Sequence, residues 1–350
     1  MIKDHPVATT IKTFPSFNFQ EYLNRDKENA KKGLDLPLRF GKAFETNCSL
    51  SDGEWITLSN GRLWSMKFRS SGAYSINFIF ENLYLPESSW LYIINSEGTM
   101  LYGPVTSKQN TNCELFLTDL IKGDEVTIYL FESNSEQGQS KLSIKRVVHA
   151  YRDFYSGMSL NILGTSESCE NDVACFPNWD EESDAVVLVL LSSGIEWCTG
   201  ALIMSANQSF KPYFLSAFHC IDVGDPALQW PQDEDERDGI LQDYEITNAE
   251  NWMFKFQFKK ATCGGTNATR LSNWLNPNNS GITTINTARP PSISGSTLVC
   301  SSGSSFTINN LPTGATIVWN QGPKLTVSVR PDASCFEHQL EIILGLKQVS

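Results

Sequence analysis

The chain lacks any apolar run approaching the length of a membrane-spanning helix. Its longest, Ala185 to Leu191, is short and β-branched and reads as a buried strand. The first residues, Met1-Ile2-Lys3-Asp4-His5-Pro6, carry no apolar signal region. No Cys-x-x-Cys pair occurs, which argues against a zinc ribbon and leaves no metal or organic cofactor implied. Charged residues are sparse at 19%, and their balance is acidic, with a net charge of −12. Without a basic patch or a stripe of stacking aromatics, such a chain repels phosphate backbones, and nucleic acid is not an expected partner. The longest charge run, Asp233-Glu234-Asp235-Glu236-Arg237-Asp238, lacks the glycine-centred spacing of a calcium loop and reads as a solvated loop.

What is present suits an extracellular β-rich protein. The 350 residues allow roughly two or three domains, and 41% hydrophobic residues exclude wholesale disorder. Turn-forming Ser, Asn, Thr and Gly are plentiful. Nine cysteines, at 48, 113, 169, 175, 198, 220, 263, 300 and 335, are spread as in disulfide-bonded proteins of an oxidising compartment. The odd number leaves one thiol without a partner inside the chain. We therefore expect a secreted protein whose signal segment is missing from this chain, with no membrane span. Nothing in the sequence indicates an oligomeric state.

The expected fold class is mainly β. Residues 1–40 read as a leader or linker, with a short helix or flexible stretch over the charged segment Glu21 to Lys32. Residues 41–155 alternate apolar and polar side chains in short runs at Leu63–Phe68, Tyr74–Phe80, Trp90–Ile94, Val126–Leu130 and Leu142–Lys145, separated by turn residues. This pattern predicts an antiparallel β-sandwich without a catalytic cluster, in which His149 is structural. A second β-rich unit follows over 160–286, closing with a predicted helix capped by Asn267, with Leu271, Trp274 and Leu275 on one face. Residues 290–332 carry short strands at Ser305–Ile308, Thr316–Trp319 and Leu325–Val329. The tail, 333–350, shows a helix-like apolar pattern and fits no strand module.

The chemistry-bearing segment is Trp197-Cys198-Thr199-Gly200-Ala201-Leu202-Ile203, followed by Tyr213-Phe214-Leu215-Ser216-Ala217-Phe218-His219-Cys220. It resembles the trypsin-like serine proteases, in which a Cys-x-Gly-x-Leu-Ile strand precedes an Ala-x-His-Cys turn. The resemblance implies a Cys198–Cys220 disulfide and makes His219 the general base that would act on a serine hydroxyl, held in its tautomer by an aspartate. The finer resemblance is to the bacterial lysyl-endopeptidase branch. Gly164-Thr165-Ser166-Glu167-Ser168-Cys169 with Asp172-Val173-Ala174-Cys175 resembles the start of its mature enzyme. Lys211-Pro212-Tyr213-Phe214-Leu215 and Trp252-Met253-Phe254-Lys255-Phe256 with Cys263 resemble its strands on either side of the histidine. The same resemblance implies a Cys175–Cys263 disulfide. It identifies 41–155 as a propeptide-like sandwich that chaperones folding and covers the active site until removal, 160–286 as an incomplete trypsin-like β-barrel, and 290–332 as a partial PKD-like or immunoglobulin-like module.

The departures from that family are large. The family's Ser-Asp-Phe-x-Leu-Leu strand and Gly-x-Ser-Gly loop, which supply the aspartate and the serine, have no counterpart in this sequence. Cys263-Gly264-Gly265 runs directly into Thr266 to Leu275, which resembles the family's C-terminal helix, so the chain reads as a protease with its middle deleted. The deletion also leaves Cys169 without the family's partner, and Cys48–Cys113 is only a guess among the remaining cysteines. Cys300-Ser301-Ser302-Gly303-Ser304 imitates a nucleophile loop but comes after the helix-like segment, in the wrong chain order. Asp222 and Asp225 follow His219 at positions the family does not use. The expected function is that of a secreted serine endopeptidase relative whose partners would be protein or peptide substrates, catalytically inactive as written. The alternatives are a non-catalytic binding or adhesion remnant, and a fragment of a longer active protease. Half a barrel should also leave one sheet face uncovered and its edges unpaired.

Overall fold

Period-two alternation sends neighbouring side chains to opposite faces of a pleat, and it shapes most of this chain. The computed structural model describes residues 8–32, 36–108, 115–153, 171–203, 213–222, 241–256, 258–260 and 262–264, together with the backbone of six short strands farther along. The chain is mainly β, as the sequence predicts, and no closed barrel is present among the described residues.

The first elements are β1 (Ile11–Thr13), helix α1 (Phe19–Lys31), β2 (Leu38–Arg39), β3 (Gly41–Ser49), β4 (Glu54–Leu58), β5 (Gly61–Arg69) and β6 (Ser75–Tyr84). They are followed by β7 (Trp90–Asn95), β8 (Leu101–Val105), β9 (Leu115–Leu117), β10 (Ile121–Lys122), β11 (Glu125–Ser133) and β12 (Lys141–Ala150). One sheet runs β1-β5-β11-β7-β8, with β4 added on β5; a second runs β10-β6-β12-β3, with β9 added on β6. Trp64 and Phe68 of β5, Phe78 and Phe80 of β6, and Ile128 and Leu130 of β11 are wholly buried in the core that the two sheets share. The sandwich is antiparallel except at its edge, where β1 lies parallel to β5 with Ile11 opposite Lys67. That strand and α1 come from the stretch read as a leader.

The charged stretch does form a helix. Asn18 caps α1 by accepting from the Gln20 amide, and Asp26 on its body is paired with both Arg39 and Arg152. Tyr22 of the helix and Phe17 before it pack edge-on or tilted against Tyr151 and His149 at the end of β12. The segment is thus pinned to the sandwich through aromatic packing and a carboxylate shared by two guanidinium groups.

The second sheet is buried on both faces. In β6, Ile76, Phe78 and Phe80 face the sandwich core, while Ile79 faces the other way and is just as buried. In β12 a bulge between Ile144 and Arg146 shifts the alternation. Ile144 and Val147 therefore both reach the core, and Val148 and Ala150 join Ile79 outside it.

What covers that outer face is a third sheet. The later elements are helix α2 (Asp180–Asp184), β13 (Val186–Leu190), β14 (Glu196–Ile203), β15 (Tyr213–Ser216), helix α3 (Asp243–Ala249), β16 (Met253–Phe256) and β17 (Trp274–Leu275). β13 lies antiparallel between β14 and β16. Leu190, Trp197 and Met253, with Ile195, pack on Phe40, Ile79, Val148 and Ala150, and the rings of Phe40 and Trp197 lie 5.0 Å apart. β2 pairs with β14 at Arg39 and Glu196. The apolar face and the strand end that a half-barrel should leave bare are therefore both covered, from the N-terminal part of the same chain.

Trp274–Leu275, expected in a helix, instead pair antiparallel with Lys255 and Phe254, because the open edge of β16 offers unpaired backbone groups to an extended segment. The rest of the expected helix lies outside the described residues. In a separate compact unit are β18 (Ser292–Gly295), β19 (Phe306–Asn309), β20 (Thr316–Asn320), β21 (Thr326–Arg330) and β22 (Ile342–Leu344). β18 pairs with β19 and β20 with β21, each antiparallel. The tail read as helix-like contributes β22, which lies parallel to β15 in that unit.

Candidate active site

β14 carries Cys198, and the register of the third sheet decides which way it faces. Leu190, Trp197 and Met253 stand opposite one another across the three strands, as do Val189, Cys198 and Phe254 one residue along. Successive residues alternate faces, so the first set meets the sandwich and Cys198 points away from it. Cys198 forms a disulfide with Cys220, 22 residues on, with Cα atoms 6.0 Å apart. Cys220 ends a single 3-10 turn, Phe218–Cys220, that holds His219. The half-buried imidazole is thus carried on the sheet face opposite the sandwich, on a turn anchored by a bond that is 1–6% exposed at its two cysteines.

A second disulfide, Cys175–Cys263, spans 88 residues and joins the segment before β13 to the segment after β16. Asp172 organises both ends of that junction. Its carboxylate accepts from the amides of Ala174 at 3.1 Å and Gly264 at 3.3 Å, and lies 3.5 Å from the Lys260 ammonium. Nearby, Lys259 is shared by Asp180 and Asp184 of α2.

The sulfurs of Cys198 and Cys220 and a ring nitrogen of His219 lie within 4.8 Å of one another. This is the spacing of a metal-ligand cluster, but sulfurs joined in a disulfide are not thiolates and do not supply the anionic ligands a soft metal requires. Asp222, two residues after the turn, is 6% exposed. Asp225, Asp233–Asp238, Cys169, Ser302 and Ser304 lie outside the described residues.

Cys48 contradicts the guess that it pairs with Cys113. It is a free, buried thiol on the inward side of β3, with Sγ 3.3 Å from the Met66 sulfur, and Cys113 lies outside the described residues. Burial pushes the thiol up to about 11, with Asp52 adding to the effect.

A serine–histidine pair does occur, in the sandwich. Ser70 Oγ lies 2.8 Å from His149 Nδ1. Ser70 is 1% and His149 6% exposed, which closes the pair to any substrate and makes it a core hydrogen bond. Sequence reasoning missed one polar feature of the third sheet: Lys255, buried in β16, reaches Asp119 of the sandwich at 3.3 Å, with side chains 4% and 7% exposed. The available signal was a lysine in the middle of the apolar strand Met253–Phe256.

Residues 163–291 match the family model described as lysyl endopeptidase, C-terminal domain. No solved structure matches the chain. No helix among the described residues is long and apolar enough to cross a membrane. The family match covers β13 to β17, both disulfides and His219, and it supports a relation of this part of the chain to lysyl endopeptidases.

Proposed function

We propose that this chain is a secreted relative of the lysyl-endopeptidase-type serine proteases that has lost peptide cleavage. His219 corresponds to the general base. The propeptide-like part is residues 41–155, the truncated protease part 160–286, and the partial PKD-like or immunoglobulin-like module 290–332. The observation that carries the reading is a histidine on a disulfide-anchored turn, in a sequence with no motif for the serine that should accept its help or the aspartate that should orient it. A triad without its nucleophile forfeits catalysis of order 10⁶. Protein or peptide substrates belong to the ancestral activity, and the residues that would line a lysine-selecting pocket belong to the deleted stretch.

The test pairs a fluorophosphonate probe with a lysyl amide substrate on the purified full chain. The expected result is no covalent labelling and no hydrolysis above that of His219→Ala. Hydrolysis that disappears in His219→Ala, or labelling that disappears in Ser302→Ala or Ser304→Ala, would overturn the reading.

A further inference from the structure

The junction between the sandwich and the third sheet has the make-up of a domain core cut in two. Ile79, Val148 and Ala150 on one side and Leu190, Trp197 and Met253 on the other are all at most 2% exposed. Three polar contacts cross the junction. Lys255 meets Asp119, the Phe40 amide donates to the Ile195 carbonyl at 2.9 Å, and Asn77 Nδ2 donates to the Gly194 carbonyl at 3.1 Å. Gly194 has φ +73°, and a Cβ there would stand 3.0 Å from Ile79 Cδ1, so the turn before β14 is fitted to β6 at backbone distance. Separating the two sides would return an apolar sheet face to water and give up the hydrogen bonds and the ion pair that cross the junction.

We infer that the sandwich is a permanent partner of the third sheet, and that a chain cut between Asp153 and Asn171 persists as a tight two-piece complex. A removable cover of the His219 turn would have to lie on the face that bears Cys198. The sandwich lies on the other face, where it completes the burial of β13, β14 and β16. The partner it fits is this sheet and no outside protein. The inference rests on packing, and it stands or falls independently of whether the chain cleaves peptides.

The experiment uses the full chain with a recognition sequence for a site-specific protease placed within residues 154–170. After cutting in native buffer, size-exclusion chromatography should return both pieces together at the volume of the uncut 39.1 kDa chain. A non-reducing denaturing gel should then show two bands. Lys255→Met in the cut chain, which takes the ammonium away from the buried Asp119 carboxylate, should weaken retention by roughly a hundred-fold, and adding Asp119→Leu should recover most of it. If Lys255→Met fails to fold uncut, Asn77→Ala provides a second comparison, because it removes the donor to the Gly194 carbonyl across the junction. Pieces of the otherwise unaltered chain eluting separately at micromolar concentration would overturn the inference. So would pieces that stay joined on the denaturing gel, since a covalent link would then explain their retention.

Discussion

Replacing His149 should remove a specific part of the protein's acid sensitivity. The imidazole sits at the end of β12 with Ser70 Oγ 2.8 Å from Nδ1, the Phe17 ring edge-on at 4.9 Å, and Lys42 directly opposite on β3. On its other flank it pairs in register with Ile76 of β6, and Asp124 is the carboxylate that acts on it. Burial is the largest influence and pushes the imidazole down to about 4; the Lys42 ammonium pushes the same way and Asp124 opposes. The unfolded chain takes up its proton near 6.5, so between pH 6.5 and 4 the unfolded state binds a proton that the folded state refuses. Stability is therefore present in full above pH 6.5 and falls as the pH drops through that window. With those two values, acidification from pH 7 to 5 costs about 2 kcal/mol and reaches about 3 kcal/mol at pH 4. His149→Asn keeps a polar partner for Ser70 but does not titrate. Urea unfolding of both proteins at pH 7 and pH 5 isolates the effect, because the carboxylates common to both cancel. The unaltered chain should lose about 2 kcal/mol more than His149→Asn over that interval. Parallel pH profiles for the two proteins would refute the reasoning.

The cysteines give two further predictions. At pH 7 Cys48 should react with iodoacetamide only after unfolding, followed by site-resolved mass spectrometry, because its thiolate is suppressed and its sulfur is packed on Met66. Removing the Cys198–Cys220 bond by a double serine replacement should lower stability in urea by about 3 kcal/mol, and removing Cys175–Cys263, which closes a loop four times longer, should cost about 1 kcal/mol more.

Period-two alternation located β5, β6, β7, β11 and β12 from residues alone, and left the shorter strands and β3 unread. It says nothing of what lies against a strand's second face. Ser75 to Phe80 is a continuous buried run, which in a sequence is the signature of a strand covered on both faces, but not of what covers it. The i, i+3, i+4 pattern of Leu271, Trp274 and Leu275 pointed to a helix, and the free edge of β16 took two of these residues into a strand. Cys48 was matched to Cys113 by elimination, whereas the pleat of β3 turns it into a core where sulfur meets sulfur. The histidine was recognisable because its neighbours form a motif, and motifs are local. The direction of its face is not local; it depends on the register of three strands separated by long stretches of chain.

That register changes what the sandwich means for this chain. A cover over a catalytic histidine must yield when the enzyme matures, so its contacts should be polar, few and breakable. The junction here is instead a continuous apolar cluster from Phe40 to Met253, with the Lys255–Asp119 ion pair buried beside it. A first barrel that keeps its second half has other surfaces to bury against. Among the described residues, β13, β14 and β16 are covered on that side by the sheet that contains β6 and β12. The sandwich is the surface that keeps Leu190, Trp197 and Met253 out of water, and a chain that shed it would expose an apolar face prone to association.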